Sequence, residues 1–304
     1  MKGRAERAGE AMACKRRGPP PKGELWLGSD LLRAAGLEDD LEGHTALASH
    51  LGQHLVSFPV SEDPAESPDL GYRWFSPEDL AEASARTDLL TTALISGPFQ
   101  RLSEKKGLME VLYGWIRERE GLLEAYSGEC GRVEALIEEC LRHCPGAVVV
   151  ADDLAGDTGP FLRPSDMEEH FFGFYSRVAV EIRKGGAWPL FHSCGDIRKL
   201  IPGLLSCGFQ GLAGIEHRAN DLVSLRRWHG ASFSLMGGID AALLESERLS
   251  PDDLSGYKEL VRAFSRDQGL ILCSSSGLYS GRFFTRILEL YETADREWEE
   301  VNKA

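Results

Sequence analysis

Short apolar or β-branched runs recur along the chain, separated by longer stretches with helical spacing, and this alternation constrains the fold more than any other feature. The runs fall at residues 24–27, 55–60, 93–96, 147–151, 188–191, 211–215, 233–236 and 270–272. Eight such runs, each followed by a helix, predict a single (β/α)8 barrel. Helix starts are marked by Ser76-Pro77 and Ser250-Pro251, each with acids in the next turn, and by Ser165 with Glu168 three residues on. The stretch 102–144 is long for one connection, and its apolar spacing predicts two or three extra helices between the third and fourth strands. Residues 1–22 are basic and polar, end in Pro19-Pro20-Pro21, and are expected to form a flexible arm ahead of a barrel domain at 23–304.

Bulk properties narrow the function. The 304 residues suit one barrel, and 34 Lys and Arg against 48 Asp and Glu give a net charge of −14, which repels a phosphate backbone. Nucleic acid is excluded as a partner on this ground. No apolar stretch has bilayer length and no secretory signal opens the chain, so a cytoplasmic protein is expected. The seven cysteines then read as reduced thiols, buried or metal-binding.

Barrels place their chemistry where strands end. Here the later runs end in polar groups: Asp152-Asp153, His192-Ser193-Cys194, Glu216-His217, Gly237-Gly238-Ile239-Asp240 and Cys273-Ser274-Ser275-Ser276. In extended backbone residues i and i+2 share a side, so His192 and Cys194 can aim an imidazole and a thiol at one point. That pair fits zinc, and it equally fits a packed histidine beside an inert core cysteine. Cys273 is the candidate third ligand, with a small buried strand residue as its alternative. Asp152 and Asp153 point to opposite faces, so only one can face the mouth. Glu216 is a candidate proton acceptor or partner for His192, or else pairs with Arg218. Gly237-Gly238 would let a backbone approach a ligand, or simply turn the chain. No P-loop, dinucleotide fingerprint, nucleophile elbow or His-Glu-x-x-His motif is present.

The segments ADDLAGDTGPFLRPSDMEEHF (151–171), PLFHSCGDIRKLIPGLLSCGF (189–209) and SFSLMGGIDAALL (232–244) together resemble the uroporphyrinogen decarboxylase superfamily, in particular its corrinoid-dependent methyltransferase branch. The amino-terminal half matches only through KGELWLGSDLL and LISGPFQ. The resemblance implies a (β/α)8 barrel that uses zinc, with His192 and Cys194 as ligands, to move a methyl group between a corrinoid on a partner protein and a thiol or other small acceptor. Asp153, Glu216 and Asp240 would position the acceptor or tune the ligands. The Arg-Gln-Ala-Gly-Arg type segment of the metal-free decarboxylases is absent. The sequence departs from the methyltransferase pattern at the third ligand, where Ser276 holds the usual cysteine position and Cys273 lies three residues earlier. Two other readings follow from the same text: a metal-free decarboxylase, which needs a cationic mouth, and a non-catalytic barrel that binds a corrinoid or its carrier protein.

Overall fold

The computed structural model describes residues 3–303. Seven of the expected runs are strands: β1 (Leu55–Pro59), β2 (Leu90–Ser96), β3 (Ala147–Ala151), then a hairpin of β4 (Ala155–Gly156) and β5 (Gly159–Pro160), then β6 (Trp188–His192), β7 (Gly211–Ile215), β8 (Ser234–Ile239) and β9 (Leu270–Ser274). All but the hairpin form one parallel sheet in the order β1-β2-β3-β6-β7-β8-β9. The sheet curls, because Leu55, Leu94, Val149, Leu190, Ala213, Met236 and Ile271, one from each strand, meet in a shared apolar interior. Alternate residues such as Val56, Ala93, Val148, Phe191 and Leu272 face a second, larger core beneath the helices.

The expected strand at 24–27 is corrected to an extended segment that touches its neighbours only at its ends. Lys22 bridges to Leu272, Leu27 bridges to Leu278, and the Lys22 carbonyl accepts from the His54 N–H at 2.7 Å. Between those points the Glu24 carboxylate takes the Ser274 N–H at 3.0 Å, a donor that a ladder carbonyl would otherwise use. The side chain therefore interrupts the pairing that its own backbone would continue.

The expected flexible arm is corrected as well. Arg4–Met12 is a helix whose Ala8, Ala11 and Met12 are buried in the interior cluster with Leu25, Leu55 and Leu90. Its start is fixed by the Ala5 N–H on the Asp88 carbonyl at 2.9 Å and by an Arg4–Asp88 ion pair. This helix seals the end of the sheet where the strands begin, opposite the polar strand ends. Three helices, Pro98–Lys106, Leu108–Arg117 and Arg119–Arg142, fill the stretch between β2 and β3. The capping boxes at Ser76 and Ser250 form with Asp79 and Asp253. The one expected at Ser165 does not, since that helix starts at Pro164 with Arg163 as its N-cap. No described helix is long and apolar enough to cross a membrane.

Candidate functional site

The strand ends meet in a pocket of about 240 Å³ whose lining includes Pro59, Ser96, Ala151, Asp153, His192, Cys194 and Ser275. Period-two alternation explains the set, because each continues the inward-facing row of its strand. Asp152 takes the other face: it is buried and accepts from the Phe99 and Gln100 N–H groups at 3.3 and 2.6 Å and from the Tyr175 hydroxyl at 2.7 Å. It thereby ties β3 to the start of the Pro98–Lys106 helix, and burial raises its pKa to about 7 against these donors.

Asp153 turns into the pocket. Its Oδ1 accepts the Cys194 N–H at 2.8 Å and lies 3.8 Å from His192 Nε2, and Cys194 Sγ lies 3.7 Å from that same nitrogen. The three ligand-type atoms are all within 4.8 Å of one another. His192 is 3% exposed and its Nδ1 sits 2.8 Å from the Ala213 carbonyl oxygen. A carbonyl only accepts, so Nδ1 carries a proton and Nε2 is the nitrogen that faces Asp153 and Cys194. Cys194 opens onto the pocket, yet the surrounding protein and then the Asp153 carboxylate raise its thiol well above the usual range.

The turn after Cys194 is built tightly. Gly195 has φ +74°, and a Cβ there would sit 2.5 Å from the Ala155 carbonyl oxygen. Its N–H donates to Glu216 Oε2 at 3.0 Å and its carbonyl accepts from the buried Asn220 amide at 2.8 Å. Gly214, at φ +61°, leaves room for the imidazole: a Cβ there would lie 2.7 Å from His192 Nδ1.

Other expected site residues lie elsewhere. Cys273 points inward but is 1% exposed among Leu25, Ala213 and Ile271, with Sγ donating to the Ser274 carbonyl at 3.1 Å and to Glu24 at 3.7 Å. Ser275, two residues on, is the one that reaches the pocket, so Cys273 sits a layer of side chains below and outside the Asp153, His192 and Cys194 group. Ser276 lines the pocket. Glu216 holds the Gly195 turn and does not join the ligand group. Asp240 caps the Ala241–Glu245 helix through the Ala242 N–H at 2.8 Å and lies 3.7 Å from Arg218 Nε. Gly237 and Gly238 are strand residues of β8, where a Cβ would meet Ile215 and Leu260 at 3.3 and 3.2 Å. They pack closely there and are not among the residues that line the pocket. Tyr72, Trp74 and Tyr279, which wall the pocket together with Trp26 from the expected first strand, carry no strand-end signal in the sequence.

The donor set fits zinc. Tetrahedral bonds of about 2.0–2.3 Å to nitrogen, oxygen and sulfur place ligand atoms roughly 3.3–3.8 Å apart. The observed 3.7 and 3.8 Å separations around His192 Nε2 match that spacing. The imidazole is also oriented as zinc ligands are, with its other nitrogen on a carbonyl.

No family model and no curated protein matches the sequence. Among solved structures, the chain is similar to a methyltransferase from Methanosarcina mazei, at 14% identity and a TM-score of 0.73 over 97% of this chain and 99% of that one. It is also similar to a B12-independent methionine synthase from Shewanella sp. W3-18-1, at 12% identity and TM-score 0.53, covering 75% and 68% of the two chains. A xylose isomerase domain protein from Planctomyces limnophilus matches at 12% identity and TM-score 0.55 over 95% and 100%. Methyl-transfer enzymes and sugar isomerases thus share this architecture, and these likenesses establish an α/β fold of the TIM-barrel type.

Proposed function

We propose that the protein is a zinc-dependent methyltransferase that moves a methyl group between a corrinoid carried by a partner protein and a thiol or other small acceptor. The observation that carries this reading is the convergence of Asp153 Oδ1, His192 Nε2 and Cys194 Sγ at the floor of a pocket walled by aromatic rings. In this reading Asp153 takes the place that the sequence pattern assigns to a later cysteine, and Cys273 is a core residue.

Three protein ligands leave zinc a fourth position, and bound zinc supplies a Lewis acid that keeps an acceptor thiol ionised at neutral pH. The protein's own groups do the rest. The Ala213 carbonyl fixes the imidazole tautomer, and Asp153 holds the Cys194 backbone at 2.8 Å so that both side chains keep one orientation. Trp26, Tyr72, Trp74 and Tyr279 keep water from the floor. A cavity of about 240 Å³ is below the roughly 300–1,000 Å³ that hold drug-sized ligands, so it suits a small acceptor while a macrocycle meets it from outside.

The metal-free decarboxylase reading has less support. Among the described residues lining the pocket none is Lys or Arg, and Arg163, Arg198 and Arg218 are paired with Asp166, Asp196 and Asp240. A carboxylate-rich substrate would find no cation there. The test is metal content of the purified protein by mass spectrometry. About one zinc per chain is expected, lost in Asp153→Ala, His192→Ala and Cys194→Ser. Unchanged stoichiometry in these variants would refute the assignment.

A further inference from the structure

The pocket walls combine aromatic rings with negative charge in a way that the zinc reading does not require. Trp26, Tyr72, Trp74 and Tyr279 line the cavity together with the carboxylates of Glu104 and Asp153. Tyr72 packs 5.3 Å from Trp74 and 6.2 Å from Tyr279, which makes one continuous aromatic wall from the loop after β1 to the segment after β9. The remaining polar side chains of the lining are Ser and Gln, apart from His192 and Cys194, and none of the described lining residues is Lys or Arg. Glu104 accepts from the neutral Gln100 amide at 2.9 Å and forms no ion pair within 4.0 Å among the described residues.

We propose that this pocket selects a small methylated onium ion, a quaternary ammonium or a sulfonium, over neutral molecules of the same shape. The ring faces of Trp and Tyr are negative and attract a cation held within about 6 Å of their centres. The cationic centre of an onium ion donates no hydrogen bonds and spreads its charge over methyl groups, so it costs less to take out of water than a primary ammonium and needs none of the directed acceptors that a primary ammonium would need. Glu104 adds a Coulomb term at the rim, and the net charge of −14 enriches cations around the mouth at low salt. When a divalent ion occupies the floor, the charges of Asp153 and Cys194 offset it, and Glu104 still faces the ligand. The inference rests on the methyl-transfer reading for what the ligand is used for, and on the pocket alone for its binding.

The experiment compares choline with its uncharged isostere, in which carbon replaces the quaternary nitrogen, by titration calorimetry on the zinc-loaded and the metal-free wild-type protein. Choline is expected to bind at least about tenfold more tightly, which corresponds to the strength of a desolvated cation–π contact. Trp74→Leu should weaken choline by about 2- to 30-fold and the isostere by less. Glu104→Gln, at an exposed helix position, should cut the preference for choline with no change for the isostere. Equal affinities, tighter binding of the isostere, or no detectable binding of choline at millimolar concentration overturns the inference. Wild-type protein stripped of zinc by chelation should keep the preference. Choline selectivity in a wild-type protein that binds no zinc would overturn the metal reading while leaving this one intact.

Discussion

Replacing Glu24 by glutamine should change how stability depends on pH in a way set by one buried network. Glu24 is 1% exposed and accepts hydrogen bonds from the Ser274 N–H and hydroxyl and, at 2.8 Å, from the Tyr291 hydroxyl. Burial outweighs these donors and raises its pKa from 4.5 to about 7. Between those two values the folded chain holds a proton that the unfolded chain has released, so the Glu24 contribution to stability falls as pH rises through the window. At about 1.36 kcal/mol per tenfold change in proton activity, the loss is on the order of 3 kcal/mol. The glutamine amide of the variant cannot titrate. Asp152, raised to about 7, and His54, lowered to about 3 by burial, titrate in both proteins and cancel in the difference. Urea unfolding of wild type and Glu24→Gln at about pH 5, 6, 7 and 8 measures it. The wild type should lose on the order of 3 kcal/mol relative to the variant by the upper end. A difference that stays flat within about 0.5 kcal/mol, or that grows with pH, would show that the donors hold Glu24 ionised and refute the reasoning.

Three further outcomes follow from the geometry. Cys273→Ser should leave zinc stoichiometry at the wild-type value, because Cys273 lies outside the ligand group; loss of metal would restore it as a ligand. Gly214→Ala, whose Cβ would sit 2.7 Å from His192 Nδ1 at φ +61°, should weaken zinc by about 10- to 100-fold in a competition titration, and wild-type affinity would contradict the packing. Met12→Ala should cost about 2–4 kcal/mol in chemical unfolding, since Met12 is 2% exposed inside the sheet's apolar interior; a change under about 0.5 kcal/mol would mean that this segment carries no packing load.

Local pattern was enough to read much of the molecule. Strand and helix periodicity located seven sheet strands and the helices between β2 and β3, because burial on one face repeats at a fixed spacing along the chain. The same rule put His192 and Cys194 on one side and sent Asp152 and Asp153 to opposite faces. The Arg4–Met12 helix escaped notice because its buried stripe of Ala8, Ala11 and Met12 is short and made mostly of small residues set among charges. Glu24 looked like a strand residue because propensity does not register a side chain that takes a neighbour's ladder donor.

The proposed ligand group of Asp153, His192 and Cys194 divides along the same line. That a histidine and a cysteine share a point was determined by the sequence, since residues 192 and 194 are two apart in extended chain. Which third group joins them was decided by the tertiary structure. Cys273 and Asp153 both face inward or toward the mouth, but height within the sheet's interior depends on the register between strands far apart in the chain. That register sets Ala151 opposite His192, which brings Asp153, two residues on, beside Cys194 and within 3.8 Å of His192 Nε2, and it leaves Cys273 one layer of side chains below, against Glu24.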